Sequence, residues 1–259
     1  MLQKNIFEVK DMMVINSSMI KLVLPVLISF AISVILCPIV IPFLHKLKFG
    51  QYVREEGPES HLKKAGTPTM GGLIFLLSLV LTCIFFIKGN QEVVPVLFVT
   101  LGFGLIGFLD DYIKVVMKRS LGLRAWQKML GQFLVTGVFA YYLLKYTDLG
   151  TGTYIPFYGE VNMSTPLFVI MLFFVFLGTV NGVNFTDGLD GLASSVTVIV
   201  ATFFSVVAVG TSNGVAPITC AVVGSLLGFL LYNVYPAKVF MGDTGSLALG
   251  GFVAATAYM

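Results

Sequence analysis

Eight apolar stretches, most close to the length of a membrane crossing, dominate this sequence. They run approximately Met19–Leu44, Met70–Ile87, Val93–Leu109, Met129–Tyr146, Pro166–Val180, Leu192–Val209, Val215–Val234 and Ser246–Met259. A transmembrane helix needs roughly 20 mostly apolar residues; the fifth and last stretches are shorter. In lipid every backbone polar group must be paired internally, which leaves helices or closed barrels. The alternating pattern of a barrel strand is missing. The expected fold class is therefore an all-α polytopic membrane protein with at least eight transmembrane helices. No internal repeat or low-complexity linker divides it, so residues 1–259 read as one integral membrane domain.

Composition agrees. The chain is 57% hydrophobic and 11% charged, whereas a soluble domain carries roughly 25% charged residues. A formal net charge of +3 is too small to point to nucleic acid. Cys37, Cys83 and Cys220 lie inside apolar stretches without metal-ligand spacing and read as small buried hydrophobes. The first stretch is too long for a signal peptide and reads as a retained span. Pro25, Pro38 and Pro42 are expected to bend it. The segment up to about Ser18 is expected to be a short interfacial helix or disordered. Tyr154–Val161 reads as an ordinary structured loop, with a small hairpin as the alternative.

Lys46, Lys48, Arg54, Lys63, Lys64, Lys114, Lys118, Arg119, Arg124, Lys128 and Lys238 fall in the connections after stretches one, three, five and seven. Only Lys4, Lys10, Lys21, Lys88 and Lys145 fall on the other side. The positive-inside rule makes the first group cytoplasmic and places the N-terminus outside.

The same four connections carry the chemistry. The first ends Lys63-Lys64-Ala65-Gly66-Thr67-Pro68-Thr69-Met70-Gly71-Gly72, and the second opens Asp110-Asp111-Tyr112 and continues to Lys114, Lys118 and Lys128. The third is Asn181-Gly182-Val183-Asn184-Phe185-Thr186-Asp187-Gly188-Leu189-Asp190-Gly191. The fourth is Asn233, then Phe240-Met241-Gly242-Asp243-Thr244-Gly245-Ser246. Topology drawn from apolar runs and basic residues alone puts all four on one side, which predicts one composite site. Carboxylate oxygens suit magnesium or manganese, lysines suit phosphate oxygens, and Gly-rich turns let backbone N–H groups approach an anion.

Each cluster also has a plainer reading. Asp110-Asp111 is the kind of pair that marks a solvated helix end, and adjacent helical residues point roughly 100° apart. Asp187 and Asp190 are placed to cap the following helix, and Asp243 to cap the last one with Thr244. Single lysines serve as topology determinants. Phe185 and Phe240 are ordinary packing residues in most settings, and His45 and His61 are too far apart to form a metal site.

Taken together, GTPTMGG, FLDDYIKV, NFTDGLDGLA and FMGDTGSLALGG, in this order, resemble the phospho-N-acetylmuramoyl-pentapeptide transferases of the polyprenyl-phosphate N-acetylhexosamine-1-phosphate transferase family. The resemblance implies a bacterial cytoplasmic-membrane enzyme with its active site facing the cytoplasm. UDP-N-acetylmuramoyl-pentapeptide and undecaprenyl phosphate would give lipid I and UMP, with Mg2+ required and Mn2+ the alternative. It implies Asp243 as metal ligand, and Asp110, Asp111 and Asp187 as catalytic residues. It implies Lys64, Asn184, Gly188, Leu189, Asp190, Asn233 and Phe240 around the nucleotide, and Lys114, Lys118 and Lys128 as phosphate contacts. A homodimer is left open. The family pattern has ten helices and a later histidine-rich loop; this sequence stops within the eighth, so it reads as truncated. The competing reading is a transferase using UDP-GlcNAc; GTPTMGG favours the muramoyl donor. A secondary transporter fits poorly, because the charges lie at the membrane boundary and no inverted repeat is visible.

Overall fold

A computed structural model describes residues 2–46, 66–117, 121–155 and 157–259, with side chains of the first helix described from residue 22. Among the described residues there are eight helices and one two-stranded sheet. The helices are α1 (Leu2–Lys46), α2 (Gly72–Phe86), α3 (Val93–Val116), α4 (Ala125–Tyr146), α5 (Thr165–Thr186), α6 (Leu192–Gly210), α7 (Ala216–Asn233) and α8 (Gly242–Ala257). Five segments are long and apolar enough to cross a membrane: Leu22–Lys46, Val93–Val115, Thr165–Thr186, Leu192–Gly210 and Ala216–Asn233. The chain is thus an all-helical multi-pass membrane protein. The eight expected crossings correspond to eight helices, of which α2, α4 and α8 do not meet that standard of length and apolarity.

Three expectations change. The segment before Ser18 is neither a separate helix nor disordered: α1 is continuous from Leu2, with its three prolines inside it. The Tyr154–Val161 loop is a hairpin, β1 (Gly152–Ile155) against β2 (Gly159–Asn162), antiparallel with Gly152 opposite Asn162 and Ile155 opposite Gly159. Its turn depends on positive φ at Phe157 (68°) and Gly159 (98°). The third helix does not stop at Leu109. It runs on to Val116, because Asp110 and Asp111 are buried and partnered and Asp110 pairs with Lys114 one turn later.

The bundle is built around α8, whose residues Thr244–Phe252 are all buried. Exposed large apolar side chains such as Ile35, Phe85, Leu105 and Ile199 cover the outside, as expected of a surface solvated by lipid. Because helices alternate in direction, the ends of α3, α5 and α7 and the starts of α2, α4, α6 and α8 lie at the same end of the bundle. That is where the four sequence clusters sit.

Candidate active site

The start of α8 is the hub of this end. Phe240 N–H donates to Pro68 O (2.8 Å), Gly71 N–H to Phe240 O (2.8 Å) and Gly72 N–H to Met241 O (2.9 Å). The first and fourth motifs are therefore joined by backbone hydrogen bonds. Gly242 then turns the chain into α8 at φ +73°; a Cβ there would lie 2.6 Å from an Asp111 oxygen and 2.8 Å from the Thr69 hydroxyl. Glycine is required on both counts.

The second motif reaches the hub from α3. Asp111 accepts from Asp243 N–H (3.2 Å), Thr244 N–H (2.8 Å) and the Thr244 hydroxyl (2.7 Å). Residue 241, at the N-cap of α8, makes no side-chain cap. Asp111 takes that role from another helix, satisfying the first amides of α8 at its positive end. The sequence-level reading in which Asp243 caps α8 is thereby replaced. Removing the acceptor in Asp111→Ala orphans buried donors. A cap costs about 1 kcal/mol and each orphaned donor about 1–3 kcal/mol. A clear fall in the thermal midpoint of the detergent-solubilised protein is expected, with Asp111→Asn retaining part of the loss. Equal midpoints for Asp111→Ala and the parent would contradict this role.

Asp110, its neighbour on α3, has a different set of partners. Its Oδ1 accepts from Leu123 N–H (2.9 Å), and its Oδ2 pairs with Lys114 and lies 3.7 Å from Lys128 Nζ. Lys114 and Lys128 both donate to Asp243 Oδ2, at 2.9 and 2.8 Å. Asp243 Oδ1 accepts from Asn184 Nδ2 at 2.8 Å, and the same nitrogen reaches Ser246 Oγ at 2.8 Å. One carboxylate from α8 is thus held from α3, α4 and α5.

Asp110, Asp111 and Asp243 each place a carboxylate oxygen within 4.8 Å of the other two. Asp110 and Asp111 are buried, at 2% and 3% exposure; neither is a solvated helix end. Three carboxylates against two ammonium groups leave one formal negative charge (2 − 3 = −1). An all-oxygen donor set with residual negative charge fits a hard divalent cation such as magnesium or manganese. Sequence reasoning assigned the metal to Asp243 alone; the geometry adds Asp110 and Asp111.

The third motif surrounds this cluster. Asp187 is the C-cap residue of α5, its N–H bonding to Val183 O and Asn184 O, and the N-cap position of α6 is Gly191. Asp190 Oδ2 accepts from Ala237 N–H (3.1 Å), tying this loop to the segment before the fourth motif. Gly188 and Leu189 are exposed, as is Phe185. Asn233 is buried at 2% exposure, donating to Val239 O (3.0 Å) and accepting from Ser194 Oγ (2.9 Å). Both ends of its amide are engaged in holding the loop that carries Phe240, which is half-buried. Lys64 and Lys118 lie outside the described residues. Thr244 and Ser246 also belong to the site; both lie in the fourth motif, but sequence reasoning gave neither a role in binding or catalysis.

The sequence profile of glycosyl transferase family 4 matches residues 93–259, and the first phospho-N-acetylmuramoyl-pentapeptide-transferase signature matches residues 64–76. A protein of that name from Clostridium botulinum is 53% identical over 234 residues, 89% of this chain and 71% of the relative. One from Desulforamulus reducens is 52% identical over 238 residues (89% and 71%), and one from Clostridium kluyveri 48% over 241 residues (92% and 76%). Identity at this level, over most of both chains, together with the family profile and the signature, places the chain in glycosyl transferase family 4, among the phospho-N-acetylmuramoyl-pentapeptide transferases.

Proposed function

We propose that the chain transfers phospho-N-acetylmuramoyl-pentapeptide from its UDP donor to undecaprenyl phosphate, releasing UMP, at the cytoplasmic face of a bacterial inner membrane. The observation that carries the reading is the meeting of three carboxylates and two lysines on Asp243 at the helix ends where all four motifs converge. Two buried aspartates beside a third carboxylate and two lysines at a membrane boundary are costly to assemble, which favours a ligand-binding role.

The metal favoured is magnesium; Asp243, with Asp110 and Asp111, would hold it, and it would supply positive charge against the diphosphate. The protein's own groups do the rest. Lys114 and Lys128 share Asp243 Oδ2; phosphate oxygens offer them a second set of charge-assisted partners, so substrate binding draws them from Asp243 onto the diphosphate. The lipid phosphate oxygen attacks the phosphorus attached to the sugar, a P–O bond forms to the acceptor, and the P–O bond to UMP breaks. A general base contributes little, since a phosphate monoester has its second pKa at about 6 and is largely ionised at neutral pH.

Beside its share in the metal site, Asp110 also positions the two lysines in this scheme. With Oδ1 on Leu123 N–H and Oδ2 facing the lysines, it aims both ammonium groups at Asp243. Asp110→Asn is expected to slow transfer by roughly 10–100-fold, the usual effect of disturbing groups that orient a metal site. UMP release by this variant should still require the lipid acceptor. Acceptor-independent UMP release, or a trapped phosphoryl-enzyme, would show instead that an aspartate attacks first. The function itself is tested by supplying the purified protein with undecaprenyl phosphate and Mg2+. Product is expected from the muramoyl-pentapeptide donor and not from UDP-GlcNAc; the reverse would assign the competing specificity.

A further inference from the structure

We infer that Gln132 is a positioning residue for the acidic cluster, acting through an amide clasp with Asn181 that sets the register of α4 against α5. The inference rests on the reading of that cluster given above. Gln132 is fully buried in the apolar part of α4. Asn181 Nδ2 donates to Gln132 Oε1 at 3.0 Å, Gln132 Nε2 donates to Asn181 Oδ1 at 3.4 Å, and Asn181 Nδ2 also reaches Leu177 O at 2.8 Å. Each side-chain amide thus finds its partner across the helix interface, and a slide of either helix would leave buried polar groups unpaired.

The register matters because of what sits one turn nearer the membrane boundary. Lys128 is four residues before Gln132 on α4, and Asn184 is three residues after Asn181 on α5. Residues at these spacings share a helix face. Lys128 Nζ and Asn184 Nδ2 grip the two oxygens of Asp243, each at 2.8 Å. The clasp therefore fixes two of the three helices that hold Asp243, one at each carboxylate oxygen. Close by, Phe133 and Phe173 stack with ring centroids 5.2 Å apart; such a contact has no directional partner and tolerates sliding. A shape-matched apolar pair would fill the same space, so the amides contribute alignment above bulk stability.

The test is a double variant, Gln132→Met with Asn181→Leu, which keeps volume and leaves no orphaned amide. The purified chain is titrated with Mn2+ by electron paramagnetic resonance, and transfer is measured in parallel. The double variant is expected to melt close to the parent. It should bind Mn2+ roughly 10–100-fold more weakly, with kcat reduced by a similar factor. The swapped pair, Gln132→Asn with Asn181→Gln, restores an amide clasp and should recover most of both. Parental Mn2+ affinity and rate in the double variant would overturn the inference, as would a swapped pair no better than the apolar one. A parent protein that neither binds Mn2+ nor transfers would instead sink the reading of the cluster, and this inference with it.

Discussion

Asp243→Asn is expected to lower kcat/KM by about 10^3-fold or more, while the protein folds and melts close to the parent. Removing one preorganised electrostatic contact to a developing charge typically costs about 10^2–10^3-fold. Here the same substitution also removes the carboxylate on which two lysines and the proposed cation depend. Asparagine has the same shape, and an oxygen is kept for Asn184 to donate to. The charge on Asp110 and Asp111 is then less crowded, so the stability lost with the lysine contacts is partly offset. Loss of turnover without loss of folding is the signature expected of a functional carboxylate. UMP release within tenfold of the parent would remove Asp243 from the centre of the account.

Gly107→Ala should have the next largest effect, through geometry alone. A Cβ at Gly107 would stand 2.0 Å from the Asp243 carbonyl oxygen, 2.3 Å from its carbon and 2.6 Å from Thr244 N. All three are backbone atoms, so no side chain can swing aside; α3 and α8 must separate. Overpacking of this kind costs typically about 1–3 kcal/mol. A displacement near 1 Å of groups aligned for reaction costs on the order of 10^2-fold in rate. Because the contact lies on Asp243 itself, both the melting temperature and the rate are expected to fall. Gly178→Ala is the control: nothing lies within 4 Å of its Cβ, and both values should stay near those of the parent. Parental activity in Gly107→Ala would mean that the close approach of α3 and α8 does not set the site.

The sequence carried the helices and the common face of the four motifs because both are written in local pattern. Apolar runs mark the helices, and their alternation puts the connections that carry the motifs at one end. The reading failed where partners are distant in the chain. Nothing near Asp111 announces that it caps a helix beginning more than 130 residues later. The aspartates after Leu109 look like a helix end because hydropathy falls there; burial and pairing to Lys114, Lys128 and Thr244 are what let α3 continue. Asp187 and Asp190 precede a helix and so resemble caps, yet Asp187 ends α5 and Asp190 holds Ala237. The hairpin at Gly152–Asn162 ranked behind a plain loop because its strands are four residues each and its turn uses a non-glycine residue at positive φ. Gln132 gave no signal, being one polar residue in an apolar run whose partner lies 49 positions away.

The account rests on a single divalent cation held between α3 and α8, and crystals soaked in Mn2+ test this directly through anomalous scattering. One peak is predicted, bonded to an Asp243 oxygen and to at least one of Asp110 and Asp111. A peak on Asp187 or Asp190 with Asp243 still held by Lys114, Lys128 and Asn184, or no peak at a concentration that sustains turnover, would contradict it.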